Sequence, residues 1–224
     1  MLFTGSDRDG WIGAWSPGIG DPTILGWGIV AAYATATVIC FRALKHSGKD
    51  LARARRAGRT GVIRDVALPP GPRMTQDRSA ALVRLWFWLT ALVGALGINK
   101  QLDFQTAFTE AGRMTIRELG WYGIRRPLQL VFILILGLFA IKAAGRLRRL
   151  VKGQPPEALL AAMGALILAV FVVIRAASFH HIDILLGLGL GGLKLNHILE
   201  LMGISCIGVG AWRYGKNRPS PNVA

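Results

Sequence analysis

Apolar runs long enough to cross a bilayer alternate along this chain with bands of lysine and arginine, and that alternation narrows the fold to one architecture. A helical crossing of a hydrocarbon core takes about 20 mostly apolar residues. Five such runs occur, at about 23–43, 80–98, 127–144, 158–177 and 195–212. The pattern predicts an all-α, polytopic transmembrane helix bundle, a single integral membrane domain over 1–224. The chain is 52% hydrophobic yet carries a net charge of +15. The two facts reconcile if apolar side chains face lipid and basic ones sit between spans. A sequence pI near 11.2 also suits a nucleic-acid binder. Here the basic residues flank spans and have no interleaved aromatic platform, so no nucleic-acid partner is expected.

The bands also set an orientation, because cytoplasmic loops are enriched in Lys and Arg. The 44–79 segment, the basic stretch from Lys142 to Lys152 and the tail after 212 together hold seventeen basic residues. The segments on the other side hold seven, among them Lys100, Arg113 and Arg117. The N-terminus is therefore expected outside and the C-terminus in the cytoplasm. Composition and size suggest the inner membrane of a bacterium. No basic stretch precedes the first apolar run, so that run is expected to stay as an anchor rather than be cleaved.

Between the first two spans, 44–79 reads as a basic linker whose 50–64 part forms a short helix on anionic headgroups. A docked membrane protein is the alternative partner. The 99–126 segment reads as polar and outer-side, with an amphipathic helix in which Phe104, Ala107, Phe108, Ala111 and Met114 share a face. Trp27, Trp86, Trp88, Trp121, Trp212 and Tyr214 read as anchors at the membrane–water interfaces. Cys40 and Cys206 lie within apolar runs and read as buried small residues.

A cluster of polar residues near the ends of the fourth and fifth runs is the candidate site. It comprises Arg175, His180, His181, Asp183, His197 and Glu200, with Asp103 at the same depth. An ionised group at membrane depth is costly and normally faces protein, water or a metal. Glu200 follows His197 by three residues, so the two share a helix face. Imidazole and carboxylate are ligands of zinc and similar divalent metals, which makes His180, His181, His197 and Glu200 a candidate metal set. The metalloprotease pattern His-Glu-x-x-His is absent. Bis-His haem ligation is disfavoured. The competing reading is a hydrogen-bond and ion-pair network that ties the fourth and fifth spans together, with Arg175 or a histidine as partner of Glu200. The run at 187–192 matches G-x-G-x-x-G. It lacks the strand–turn–helix frame of a dinucleotide site and reads instead as a helix-breaking turn.

Two functional classes follow. One is a non-enzymatic accessory, assembly or scaffold subunit of a membrane complex. The other is a membrane-embedded enzyme or binding protein with an outer-side His/carboxylate site acting on a lipid or periplasmic substrate.

Overall fold

The computed structural model describes residues 23–60, 72–102, 107, 110–112, 114–115, 120, 125–176, 189–190 and 193–217. They form five long helices: α1 (Ile24–Thr60), α2 (Pro72–Leu102), α3 (Arg125–Val151), α4 (Pro156–Ala176) and α5 (Leu195–Lys216). Between α4 and α5 lies a minimal hairpin of β1 (Gly189–Leu190) and β2 (Leu193–Lys194), with Gly189 opposite Lys194 and Leu190 opposite Leu193. Among the described residues, three stretches are long and apolar enough to cross a membrane: Ile24–Arg56, Gln76–Leu102 and Pro156–Arg175.

The helix ends follow local chemistry. Thr23 caps α1, its Oγ1 accepting from the amide of Gly26 at 3.0 Å. Pro72 opens α2, a position where its missing N–H costs nothing. Gly153, at φ +72°, breaks the chain between α3 and α4, and the amide of Gln154 closes on the carbonyl of Val151 at 3.0 Å.

The helices are longer than the apolar runs. The 44–79 linker is a correction: α1 continues unbroken to Thr60, and α2 starts at Pro72. Ala, Arg, Lys and Leu dominate 44–60, and these are strong helix formers. Basic composition reads as loop, although the helix propensity is high. The 37 residues of α1 rise about 55 Å, so its basic end extends well past a bilayer core. Likewise, 99–102 belongs to α2 rather than to a separate outer segment. Of the amphipathic helix expected there, residues 107, 110–112 and 114–115 are helical, with Ala107 buried and Met114 exposed; Phe104 and Phe108 lie outside the described residues.

Buried residues recur at spacings of three and four. In α1 they are Ile29, Tyr33, Ala36, Cys40, Ala43 and Ser47; in α4, Ala158, Ala161, Ala165 and Leu168; in α5, Glu200, Ile204, Ile207, Ala211 and Tyr214. This is the seam pattern of helices that pack nearly side by side. The seams merge into one core that also takes Leu85, Trp86, Leu89 and Val93 of α2. Trp86 and Tyr214 are corrections to the interfacial-anchor expectation. Both are buried, with ring centroids 5.0 Å apart, because they fall on the seams. Trp27, Trp88 and Trp212 are exposed, while Trp121 lies outside the described residues. Cys40 is buried and Cys206 half-buried, and neither is in a disulfide.

Small residues set how closely helices meet. A Cβ on Gly164 of α4 would lie 2.6 Å from the carbonyl oxygen of Gly203 in α5, and one on Gly210 would lie 2.6 Å from that of Glu157. Only glycine fits, as expected where helix backbones touch. Helix α3 meets this core through Leu147 and Val151 near its C-terminal end. Leu134, Ile135, Leu138, Phe139 and Ile141 are all exposed.

Candidate functional site

Glu200 is the centre of the polar site. It occupies a seam position in the second turn of α5, so the same periodicity that buries Ile204 and Ile207 carries a carboxylate into the core. A buried charge needs partners, and two other helices supply them. The Tyr33 hydroxyl of α1 donates to Glu200 Oε1 at 3.1 Å. The Lys100 ammonium of α2 meets Oε2 at 3.2 Å. The carboxylate side chain is 3% exposed and the lysine 14%.

Local packing explains why these three groups meet. Gly97, one turn before Lys100, lets α2 approach α1 so closely that a Cβ there would lie 2.9 Å from Tyr33 Cβ. Tyr33 and Lys100 are therefore on facing seams of an antiparallel pair, and α5 lays Glu200 between them. Arg175, at the last turn of α4, is exposed and close enough to act electrostatically on Tyr33. Four helices thus bring polar groups to one end of the structure.

The ion-pair partner differs from the expected one. The sequence pattern points to Arg175 or a histidine, whereas Lys100 holds the carboxylate. Neither Lys100 nor Tyr33 was among the candidate residues. Lys100 reads in sequence as an ordinary interfacial cation, and Tyr33 as part of an apolar run. Their signal is positional: each lies on the seam of its helix, where every neighbour is apolar or small. His197 is half-buried, one turn before Glu200 on α5. Asp103, His180, His181 and Asp183 lie outside the described residues.

Two carboxamides at the same end complete the picture. Both polar atoms of the Gln101 side chain, and Oδ1 of Asn196, are buried without a hydrogen-bond partner among the described residues. Gln101 follows Lys100, and Asn196 precedes Glu200 by four residues. Among the described residues, no group of three or more His, Cys, Asp and Glu gathers as a metal site would require. Glu200 has its two oxygens engaged by Tyr33 and Lys100.

Chemically, the arrangement is an ion pair reinforced by a phenol. Removing two charges from water costs several kcal/mol per ion, offset only by good geometry and further hydrogen bonds. With one oxygen on each partner, Glu200 meets that condition.

Comparison with protein-family models, with curated proteins and with solved structures finds no match to this chain.

Proposed function

We propose that this protein is a multi-pass bacterial inner-membrane protein that serves as a non-enzymatic accessory, assembly or scaffold subunit of a membrane complex. It crosses the membrane five times, with the N-terminus outside. The observation that carries this reading is the engagement of Glu200. Both its oxygens are held by side chains from two other helices, Tyr33 at 3.1 Å and Lys100 at 3.2 Å. A carboxylate so occupied ties helices together, and it is poorly placed to bind a metal or take a proton from a substrate.

Three apolar helices support the membrane placement. The exposed apolar surface of α3 supports a further crossing, and so does the glycine-mediated contact of α4 with α5. The basic extension of α1, with Lys45, Lys49, Arg53, Arg55 and Arg56 beyond its apolar part, suits contact with anionic headgroups. The anticipated membrane-protein partner fits the same reading.

A second reading is favoured by the buried carboxamides of Gln101 and Asn196. Unpartnered buried amides often accompany an unfilled ligand or water site. Together with His180, His181, Asp183, His197 and Glu200 they would line an outer-side binding or catalytic site. In its metal form a divalent ion such as zinc supplies an activated water.

Gentle extraction of the full-length protein from its native membrane separates the two readings. A stoichiometric membrane-protein partner, retained by Glu200→Gln, is the expected result. A partnerless protein carrying about one equivalent of zinc by elemental analysis, lost in Glu200→Gln, would overturn the scaffold reading.

A further inference from the structure

At the end of the structure opposite Glu200, the first turn of α4 and the last turn of α5 enclose an open cavity of about 470 Å³. That volume lies within the range typical of small-ligand pockets, about 300–1,000 Å³. Its lining divides into two parts. Leu160 and Trp212 form an apolar wall, and Trp212 is 53% exposed, so the wall continues onto the outer surface of the helices. Arg213 and Lys216 form a cationic wall. Neither makes an ion pair among the described residues. The Lys216 ammonium sits 5.1 Å from the Trp212 ring centroid, which fixes it over the aromatic face at the junction of the two walls.

One acid lines the cavity. Glu157 accepts a hydrogen bond from Asn217 Nδ2 on Oε1 at 2.7 Å, which leaves its second oxygen available as an acceptor. Two cations against one carboxylate leave the cavity with a net positive charge. A ligand that fits must bring one anionic group for Arg213 and Lys216, a hydroxyl to donate to Glu157, and an apolar part for Leu160 and Trp212. A second anionic group would meet Glu157 and be repelled.

We infer that this cavity holds the headgroup of an anionic phospholipid bearing free hydroxyls, with a phosphodiester between Arg213 and Lys216 and a glycerol hydroxyl on Glu157. Phosphatidylglycerol is the simplest lipid of that chemistry. The acyl chains follow the Trp212 wall into the bilayer. A free phosphate or a soluble phosphate ester would gain nothing from that wall. Basic pockets between spans are a recurrent means of holding such headgroups. The site is distinct from the basic extension of α1, which lies on another helix.

The inference rests on the membrane placement proposed above, and the test keeps the two apart. Full-length protein is reconstituted into nanodiscs of phosphatidylcholine doped with phosphatidylglycerol or phosphatidylethanol, then released and weighed by native mass spectrometry. Both bilayer faces are accessible in a nanodisc, so an inverted orientation does not change the result. Failure to incorporate at all would refute the membrane reading itself. The wild type is expected to retain about one phosphatidylglycerol, in preference to phosphatidylethanol, which has the same phosphodiester charge and no headgroup hydroxyl, and to phosphatidylcholine. Arg213→Gln/Lys216→Gln is expected to retain it roughly 30-fold less, while Arg148→Gln/Arg149→Gln keeps wild-type retention. Glu157→Met should still bind phosphatidylglycerol but lose the preference over phosphatidylethanol. Equal retention by the wild type and the Arg213/Lys216 variant would overturn the inference, as would equal retention of phosphatidylcholine. So would a wild type that retains phosphatidylethanol as well as phosphatidylglycerol. Gel filtration confirms that each variant is monodisperse before it is weighed.

Discussion

Deleting one member of the Lys100–Glu200 pair should cost more than deleting both. Lys100→Met leaves a carboxylate only 3% exposed, held by Tyr33 alone. Stranding a buried charge in this way costs about 3–5 kcal/mol. Glu200→Gln strands the ammonium instead. Lys100 is 14% exposed and sits in the last turn of α2 on a flexible stem, so it can reach toward water, and the cost should fall to about 2 kcal/mol. In the double variant no charge is left buried, and the Gln carbonyl still accepts from Tyr33. Its cost should be about 1 kcal/mol, that of one weakened hydrogen bond. The coupling between the two sites then comes to about 4–6 kcal/mol in magnitude, above the usual range for a contacting pair. The assay is reversible unfolding of the full-length protein in mixed micelles, titrated with a denaturing detergent and followed by tryptophan fluorescence. Single-variant losses that add to within about 0.5 kcal/mol in the double variant would refute the reasoning. So would Lys100→Met costing less than Glu200→Gln.

Tyr33→Phe removes one donor to a buried carboxylate and should destabilise by about 1.5–3 kcal/mol in the same assay, with no change in membrane insertion. Gly210→Ala drives a methyl to 2.6 Å from the Glu157 carbonyl oxygen and should cost about 1–3 kcal/mol. Gly145→Ala in α3 meets nothing within 4 Å and should be neutral or stabilising by up to about 1 kcal/mol; equal effects at the two glycines would contradict the close approach of α4 and α5.

Sequence and structure agree where periodicity and hydropathy act together. The helix of Pro156–Ala176 lies within two residues of the expected 158–177 run. Glu200 was legible because a carboxylate inside an apolar run demands an explanation. Its partners were less so. Lys100 is some hundred residues away in sequence, next to a helix end where lysine is common. What marks it is its place on the 86, 89, 93, 97, 100 seam of α2, with Gly97 opening the approach to Tyr33. Tracing that seam through the polar residue, instead of ending it at the last apolar one, identifies Lys100, and the same step in α1 identifies Tyr33. The long basic end of α1 was missed for a related reason. Hydropathy reports where a membrane would end, and helix propensity reports where the helix would. Over 44–60 the two differ by more than four turns.

The central claim is a membrane protein whose Glu200–Lys100–Tyr33 tie lies near the outer surface, and cysteine accessibility in intact cells tests it most directly. In a Cys40→Ala/Cys206→Ala background, single cysteines are placed at Gly120 and Lys152 and treated with a membrane-impermeant maleimide. The account predicts labelling of Gly120→Cys in intact cells, and labelling of Lys152→Cys only after the membrane is permeabilised. Labelling of Lys152→Cys in intact cells with Gly120→Cys protected would contradict it.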